Sequence, residues 1–300
     1  MIYYRQKILL NLISTFGGRL NSTDLQKLLF LFTQHQGRKS FDFVPYSYGC
    51  FSFQANKDLH YLYSKGLVEK QLEDPATFWI FEIPTQNLSL EISQQDSIAL
   101  KRIKNQFSDF TQSDLIKYTY LNFPYYAIKS LIAERVLNKK EFTKVQQLKK
   151  EIKTKMLFTI GYEGLNLEQY LNKLIINDVK LLCDIRKNPI SRKYGFSKSQ
   201  LQNSCESVGI KYIHIPELGI DSEKRKGLDT IKDYQKLFCE YEKIVIKNNL
   251  DKLNFIFSLV NDFSRVSLTC FEKDVQFCHR SIVAKELKKL PNWNIQISNL

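Results

Sequence analysis

The chain has 300 residues, 43% hydrophobic and 25% charged, the balance of a soluble globular protein with enough chain for two cores of ordinary size. No apolar run nears the roughly 18 residues that span a bilayer, and the apolar start "MIYYRQKILLNLISTFGG" leads into polar helix rather than a small-residue cleavage site. Neither a membrane partner nor a signal peptide is expected, and six cysteines without a disulfide-scaffold spacing fit a reduced, cytoplasmic protein. The net charge is +13, with Lys and Arg outnumbering Asp and Glu 20 to 13 in residues 1–150 and 24 to 18 in residues 151–300. A basic excess favours polyanions by counterion release, although a Lys-, Ile- and Asn-rich composition of the kind AT-rich genomes encode produces the same excess without that role.

The first half reads mainly as helix. Residues 3–15 place Ile8, Leu9, Leu12 and Ile13 on one helical face. "NSTDLQKLLFLFTQHQG" follows, with Ser22 or Thr23 as N-cap, Leu25, Leu28, Leu29 and Phe32 at helical spacing, and Gly37 at the C-terminal end. A helix is expected over 58–70, ending near Gly66, and a strand over 78–83, where "FWIFEI" is aromatic and β-branched. Residues 95–135 continue as helices, one of them starting after Pro124. Three helices and then a strand or wing is the order of a winged-helix module. Tyr46, Tyr48, Phe51 and Phe53 read as packed core or turn rather than a base-stacking platform. Lys27, Arg38, Lys39, Lys57 and Lys65 are possible phosphate contacts, set against the ordinary fate of surface lysines, which is solvation.

The stretches "LQKLLF", "YSYGCFS" and "DLHYLYSKGLV" resemble, over about 65 residues, the Panacea-type antitoxin domain, with Cys50 standing where that family has proline. The resemblance implies a small helical domain that binds a protein partner or nucleic acid rather than performing chemistry. The polar, basic "NKKEFTKVQQLKKEIKTK" (138–155) lacks a clear apolar face and marks the boundary, giving domains over 1–150 and 156–300.

From residue 156 strands and helices alternate, which predicts an α/β layer with a largely parallel sheet and flanking helices. Ligands of such sheets bind beyond the carboxyl ends of the strands. Tyr162 and Glu163, Asp184 and Arg186, Glu217, and Cys270 and Glu272 fall there. "TIGYEG", "LLCDIRKNPISRKYGFSKSQL", "GIKYIHIPELG" and "CFEKDVQFCHRSIVA" resemble, in that order and over about 145 residues, the domain-of-unknown-function 488 family. Val275 stands where that family has proline. The resemblance implies a compact α/β domain and the location of its site, but no reaction and no cofactor.

Physically the motifs suggest an anion site. A helix starting near Cys278 offers unpaired N–H groups and the positive end of its dipole. Arg186, Arg192 and Arg280 are expected to fork onto phosphate or carboxylate oxygens, and "NPISRKYGFSK", with Lys193, to clamp a nucleotide or strand by charge and stacking. His279 is an anion ligand and acid, and Glu163, Asp184 and Glu217 are candidate bases. Cys278 as nucleophile would gain from the helix dipole and nearby cations, in an arrangement resembling rhodanese and cysteine-phosphatase architecture. Yet "CHRSIVA" lacks the glycine such an oxyanion loop needs. Cys270, Cys278 and His279, with Cys183, form a zinc set on paper. Tetrahedral sites more often show two-residue Cys spacing, and packing is the commonest fate of a buried thiol, so no metal is assigned. The expectation is a nucleic-acid- or nucleotide-directed protein, in phage defence or DNA/RNA processing, whose first half recruits and whose second half binds a phosphate-bearing ligand. A cysteine-dependent enzyme and a purely binding regulator are the alternatives.

Overall fold

The computed structural model describes residues 2–82, 89–149, 151–225 and 227–300. The chain divides into two compact units, Met1–Lys149 and Lys150–Leu300, each with its own buried apolar core. No helix among the described residues is long and apolar enough to cross a membrane.

In the first unit, α1 (Tyr4–Thr15), β1 (Arg19–Asn21) and α2 (Ser22–Thr33) precede a short hairpin of β2 (Val44–Tyr46) and β3 (Gly49–Phe51). Next come α3 (Phe53–Ser64) and a second hairpin, β4 (Glu69–Glu73) and β5 (Ala76–Ile80). β1, β5 and β4 form an antiparallel sheet in that order. Helices α4 (Gln94–Phe107), α5 (Gln112–Asn122), α6 (Ala133–Val136) and α7 (Lys139–Leu148) complete the unit. α2 is its axis: every residue from Leu25 to Thr33 is buried, as for a helix surrounded by core on all sides.

Several boundaries differ from expectation. α2 is capped by Asn21, whose side chain accepts the Asp24 N–H at 2.9 Å, and not by Ser22 or Thr23; it ends at Thr33, short of Gly37. α3 starts at Phe53, capped by Ser52, ahead of the expected residue 58. After Pro124 there is one 3-10 turn (Pro124–Ala127) and the short α6 instead of a continuous helix. There the Leu131 N–H bonds the Ser47 carbonyl at 2.9 Å and the Ser130 hydroxyl meets the Tyr120 hydroxyl at 2.7 Å, so tertiary partners outcompete helical ones. The boundary stretch contains α7, held by an Asn138–Glu141 capping box and burying Val145. Ile83, at the end of the strand expected over 78–83, and residue 150 of the boundary lie outside the described residues.

The second unit runs β6 (Met156–Gly161), α8 (Leu167–Ile176), β7 (Leu181–Asp184), α9 (Lys198–Ser207) and β8 (Lys211–His214). It continues with α10 (Ile231–Tyr241), a π-helical turn (Glu242–Ile246), α11 (Leu250–Phe263), β9 (Arg265–Cys270), α12 (Arg280–Leu287) and β10 (Gln296–Asn299). The five strands are all parallel, in the order β10-β6-β9-β7-β8. β9 is thus inserted, late in the chain, between β6 and β7. Such a reversal of strand order opens a crevice at the carboxyl ends.

Side chains alternate across the sheet. Leu157, Leu181, Cys183, Val266 and Leu268 face the core shared with α10, α11 and α12. Thr269 faces the other way, where the Tyr170 hydroxyl of α8 donates to it at 2.8 Å. The two faces carry different chemistry.

Candidate functional site

On the α12 face, β9 ends at Cys270 and the loop that follows brings Glu272, Cys278 and His279 around it. One potential ligand atom from each of these four residues lies within 4.8 Å of the others. Cys270, Cys278 and His279 are buried. Cys270 Sγ is 3.1 Å from Glu272 Oε2 and 3.6 Å from His279 Nδ1.

A guanidinium enters this cluster from the segment between β8 and α10. Arg225 Nη1 donates to Glu272, and Nη2 lies 2.8 Å from His279 Nδ1 and 4.0 Å from Cys270 Sγ. Because a guanidinium only donates, His279 Nδ1 is an acceptor. The ring proton is then on Nε2, which donates to the Ile185 carbonyl at 3.1 Å. The two thiols differ. Burial pushes Cys270 up, but a hydrogen bond from Cys278, then His279 and Arg225, bring it well below the usual thiol range. Burial and the neighbouring Cys270 push Cys278 well above it. Of the two thiols it is thus Cys270 that its neighbours hold lower, whereas the sequence singles out Cys278.

The loop is held tightly. Arg280, buried at the start of α12, donates to the carbonyls of Glu272 and Lys273 (2.8 Å to the latter) and reaches Thr159 at 3.4 Å. Gly161 is required beneath it: a Cβ there would come within 1.8 Å of the Glu272 carbonyl oxygen. Glu163 accepts the Lys273 N–H at 2.9 Å from the β6 side. Beside the cluster is a cavity of about 280 Å³ lined by Arg225, Glu163, Glu272, Asp274 and the rings of Tyr234, Phe238, Phe271 and Phe277.

On the opposite face, Asp184 at the end of β7 forms a second network. Its Oδ1 accepts Arg186 Nε–H at 2.8 Å and the Arg186 N–H at 3.1 Å; its Oδ2 accepts Arg186 Nη2–H at 2.5 Å and the Tyr212 hydroxyl at 2.7 Å. The remaining guanidinium nitrogen donates to Phe196 O at 2.7 Å and to the Tyr162 hydroxyl at 3.0 Å. Tyr162 stacks on Phe196, with centroids 4.3 Å apart. His214 Nε2 meets the Arg186 carbonyl at 2.8 Å. Burial opposes charge on Arg186, and the Asp184 bonds more than restore it.

The structure therefore gathers Glu163, Glu272, Cys278, His279 and Arg280 at one crevice and sets Asp184 and Arg186 across the sheet from the cysteines. Arg186 and Arg280 are committed to partners inside the fold; binding a phosphate would require each to release them. Arg192 is exposed in the basic loop. Lys193 donates to the Tyr162 carbonyl at 3.1 Å, and burial lowers its pKa. Glu217 pairs with Lys252 at 3.3 Å and lines neither the cluster nor the cavity. Cys183 packs in the core, and Glu272 stands in its stead as the fourth potential ligand. Nothing local in the sequence singles out Arg225 or the aromatic wall. "DSEKRKGLD" shows one more basic run among many, and only the fold brings it to Cys270.

Residues 166–287 match the family described as Domain of unknown function DUF488, a span running from the cap of α8 to the end of α12. The match supports assigning the C-terminal unit to that family. It takes in Asp184, Arg186, Arg225 and the Cys270–Arg280 loop, but not β6 or the first unit. No curated protein and no solved structure matches the chain.

Proposed function

We propose that this protein is directed at nucleic acid or nucleotides, with the first unit recruiting and the second holding a phosphate-bearing ligand at the carboxyl edge of its sheet. The observation that carries the reading is the cavity beside the cysteine cluster. Aromatic faces there suit stacking on a base, and Arg225, once released from Glu272 and His279, suits a forked contact to phosphate. Its volume of about 280 Å³ is at the small end for ligand sites and suits one nucleoside monophosphate or one base turned out of a strand. The carboxylates on its rim are not bare charges. Glu163 holds the Lys273 N–H, Glu272 holds Arg225, and Asp274 holds the Gln276 N–H at 2.8 Å.

In the first unit, the succession α1, β1, α2, α3, β4, β5 with sheet order β1-β5-β4 supports the winged-helix reading, in which the β4–β5 hairpin is the wing. The Panacea-like motifs support recruitment, of nucleic acid or of a protein partner, as its task. A place in phage defence or in DNA/RNA processing follows from the pairing of the two resemblances.

The test is binding of labelled single- and double-stranded DNA and RNA, and of nucleoside monophosphates, to the full chain over a range of salt. Nucleic-acid affinity should fall linearly on log–log axes as salt rises, and Arg225→Met and Tyr234→Ala should each weaken mononucleotide binding. Salt-independent or undetectable binding of every probe would sink the reading. A second reading, a cysteine-dependent enzyme, draws on the Cys270 thiol, held beside Arg225 and His279 next to the same cavity. In a Cys239→Ser background, fast alkylation of Cys270 at pH values below the ordinary thiol range would favour it.

A further inference from the structure

We infer that Cys270, Glu272, Cys278 and His279 form a binding site for a zinc-class divalent cation, with which Arg225 competes. Two sulfurs, one imidazole and one carboxylate form a donor set suited to tetrahedral zinc and poorly suited to magnesium or calcium, which take oxygen. The spacing agrees. Zinc bonds of about 2.3 Å to sulfur and about 2.0 Å to nitrogen, at a tetrahedral angle, set those two atoms about 3.5 Å apart. Cys270 Sγ and His279 Nδ1 are 3.6 Å apart.

The imidazole is also prepared as a ligand is. Its far nitrogen donates to a main-chain carbonyl, Ile185 at 3.1 Å, which fixes the ring and turns the Nδ1 lone pair towards the sulfurs. What sits against three of the four donors is a cation: one guanidinium touches Glu272, His279 Nδ1 and Cys270 Sγ. Arg225 marks the position and sign of the charge the cluster wants, but a planar guanidinium cannot lie at bonding distance from all four atoms at once. Arg225 also lines the cavity, so it can leave the cluster without leaving the site. A metal there would border the cavity through Glu272, the least buried of the four donors.

The experiment needs no nucleotide, so its failure and that of the functional reading are separable. The full chain, reduced and stripped with a chelator, is titrated with Co²⁺ and then with Zn²⁺. One equivalent of Co²⁺ should produce the thiolate-to-cobalt charge-transfer band and the strong visible bands of a tetrahedral site, and one equivalent of Zn²⁺ should abolish them. Cys270→Ser and Cys278→Ser, each left with one thiolate, should cut the charge-transfer band to about half or less, and Cys239→Ser, at an exposed thiol, should retain it. Arg225→Ala should bind zinc more tightly than the unaltered chain, because a competing cation is gone. The assignment is overturned if neither the unaltered chain nor Arg225→Ala develops the band. It is equally overturned if folded Cys270→Ser and Cys278→Ser proteins, judged by circular dichroism, keep the band unchanged.

Discussion

Arg186 and Arg280 illustrate how one residue type serves two ends. Both stand in motifs that suggest anion binding, and both are buried with their donors engaged inside the fold. If Arg186 is the counter-ion of Asp184, Arg186→Met strands a buried carboxylate, and breaking such a pair costs about 3–5 kcal/mol. Urea denaturation should then show a loss of that size. If Arg186 instead binds the ligand, stability would change by less than about 1 kcal/mol while ligand affinity falls. Arg280→Met should cost about 2–4 kcal/mol, because two loop carbonyls lose their donor. It should also loosen the 271–278 loop, raising its amide exchange before global unfolding. Unchanged stability in Arg280→Met would contradict the bracing role assigned to this side chain.

At the scale of elements, α2 makes a separate prediction, because the only cation in its buried run, Lys27, has poor company. Its Nζ finds the Cys50 carbonyl at 3.5 Å, with Asp24 near enough to help by charge. Burial pushes the Lys27 pKa below its ordinary value near 10.5. A lowered lysine pKa means the folded state disfavours the charged form. The penalty is fully present below the folded value and is relieved as pH rises from there towards 10.5. Lys27→Met should therefore be more stable than the unaltered chain near neutral pH, with the gap closing as pH rises. Lys27 also draws down the buried Cys50 thiol, so the two proteins are compared in a Cys50→Ala background. A gap that does not change with pH would refute the argument.

Elements also divide by how far the sequence announces them. β6, β7, β8 and β9 are runs of apolar and β-branched residues bounded by turns, and they were legible. So was α8, where Asn166 and Gln169 close a capping box ahead of an apolar face. β1, β2 and β3 have three residues each, too few for a period of two to appear. The partner of β1 also lies far away in the chain, Arg19 opposite Ile80, so nothing local marks that strand. The crevice was legible only in part. Cys278, His279 and Glu272 are near neighbours in sequence. Arg225 comes from 45 residues before Cys270, on a segment without helical or strand periodicity. The separation of Asp184 from the cysteines depends on strand parity across β7 and β9. A motif list cannot show that parity until the register, Asp184 opposite Thr269, is known.

The molecule as a whole is two cores joined through a basic, water-exposed stretch, and this sets how it should come apart. Residues 151 and 153–155 are exposed, and Lys149, Lys153 and Lys155 offer trypsin three sites in a short span. Each unit buries its own apolar cluster. Brief trypsin treatment should therefore cut first between residues 149 and 155 and leave two fragments that resist further digestion. Each fragment should unfold cooperatively in urea, as a domain with its own core does. Lys and Arg exceed Asp and Glu in both halves, 20 to 13 and 24 to 18, so both fragments should stay on a cation-exchange column at neutral pH. Salt-dependent binding can then be apportioned between them. If the first unit recruits, its fragment should retain most of the nucleic-acid salt slope, and the second fragment should retain mononucleotide binding. Fragments that unfold or are digested as soon as the chain is cut would show that the two cores depend on each other, and the division of labour would fail with them.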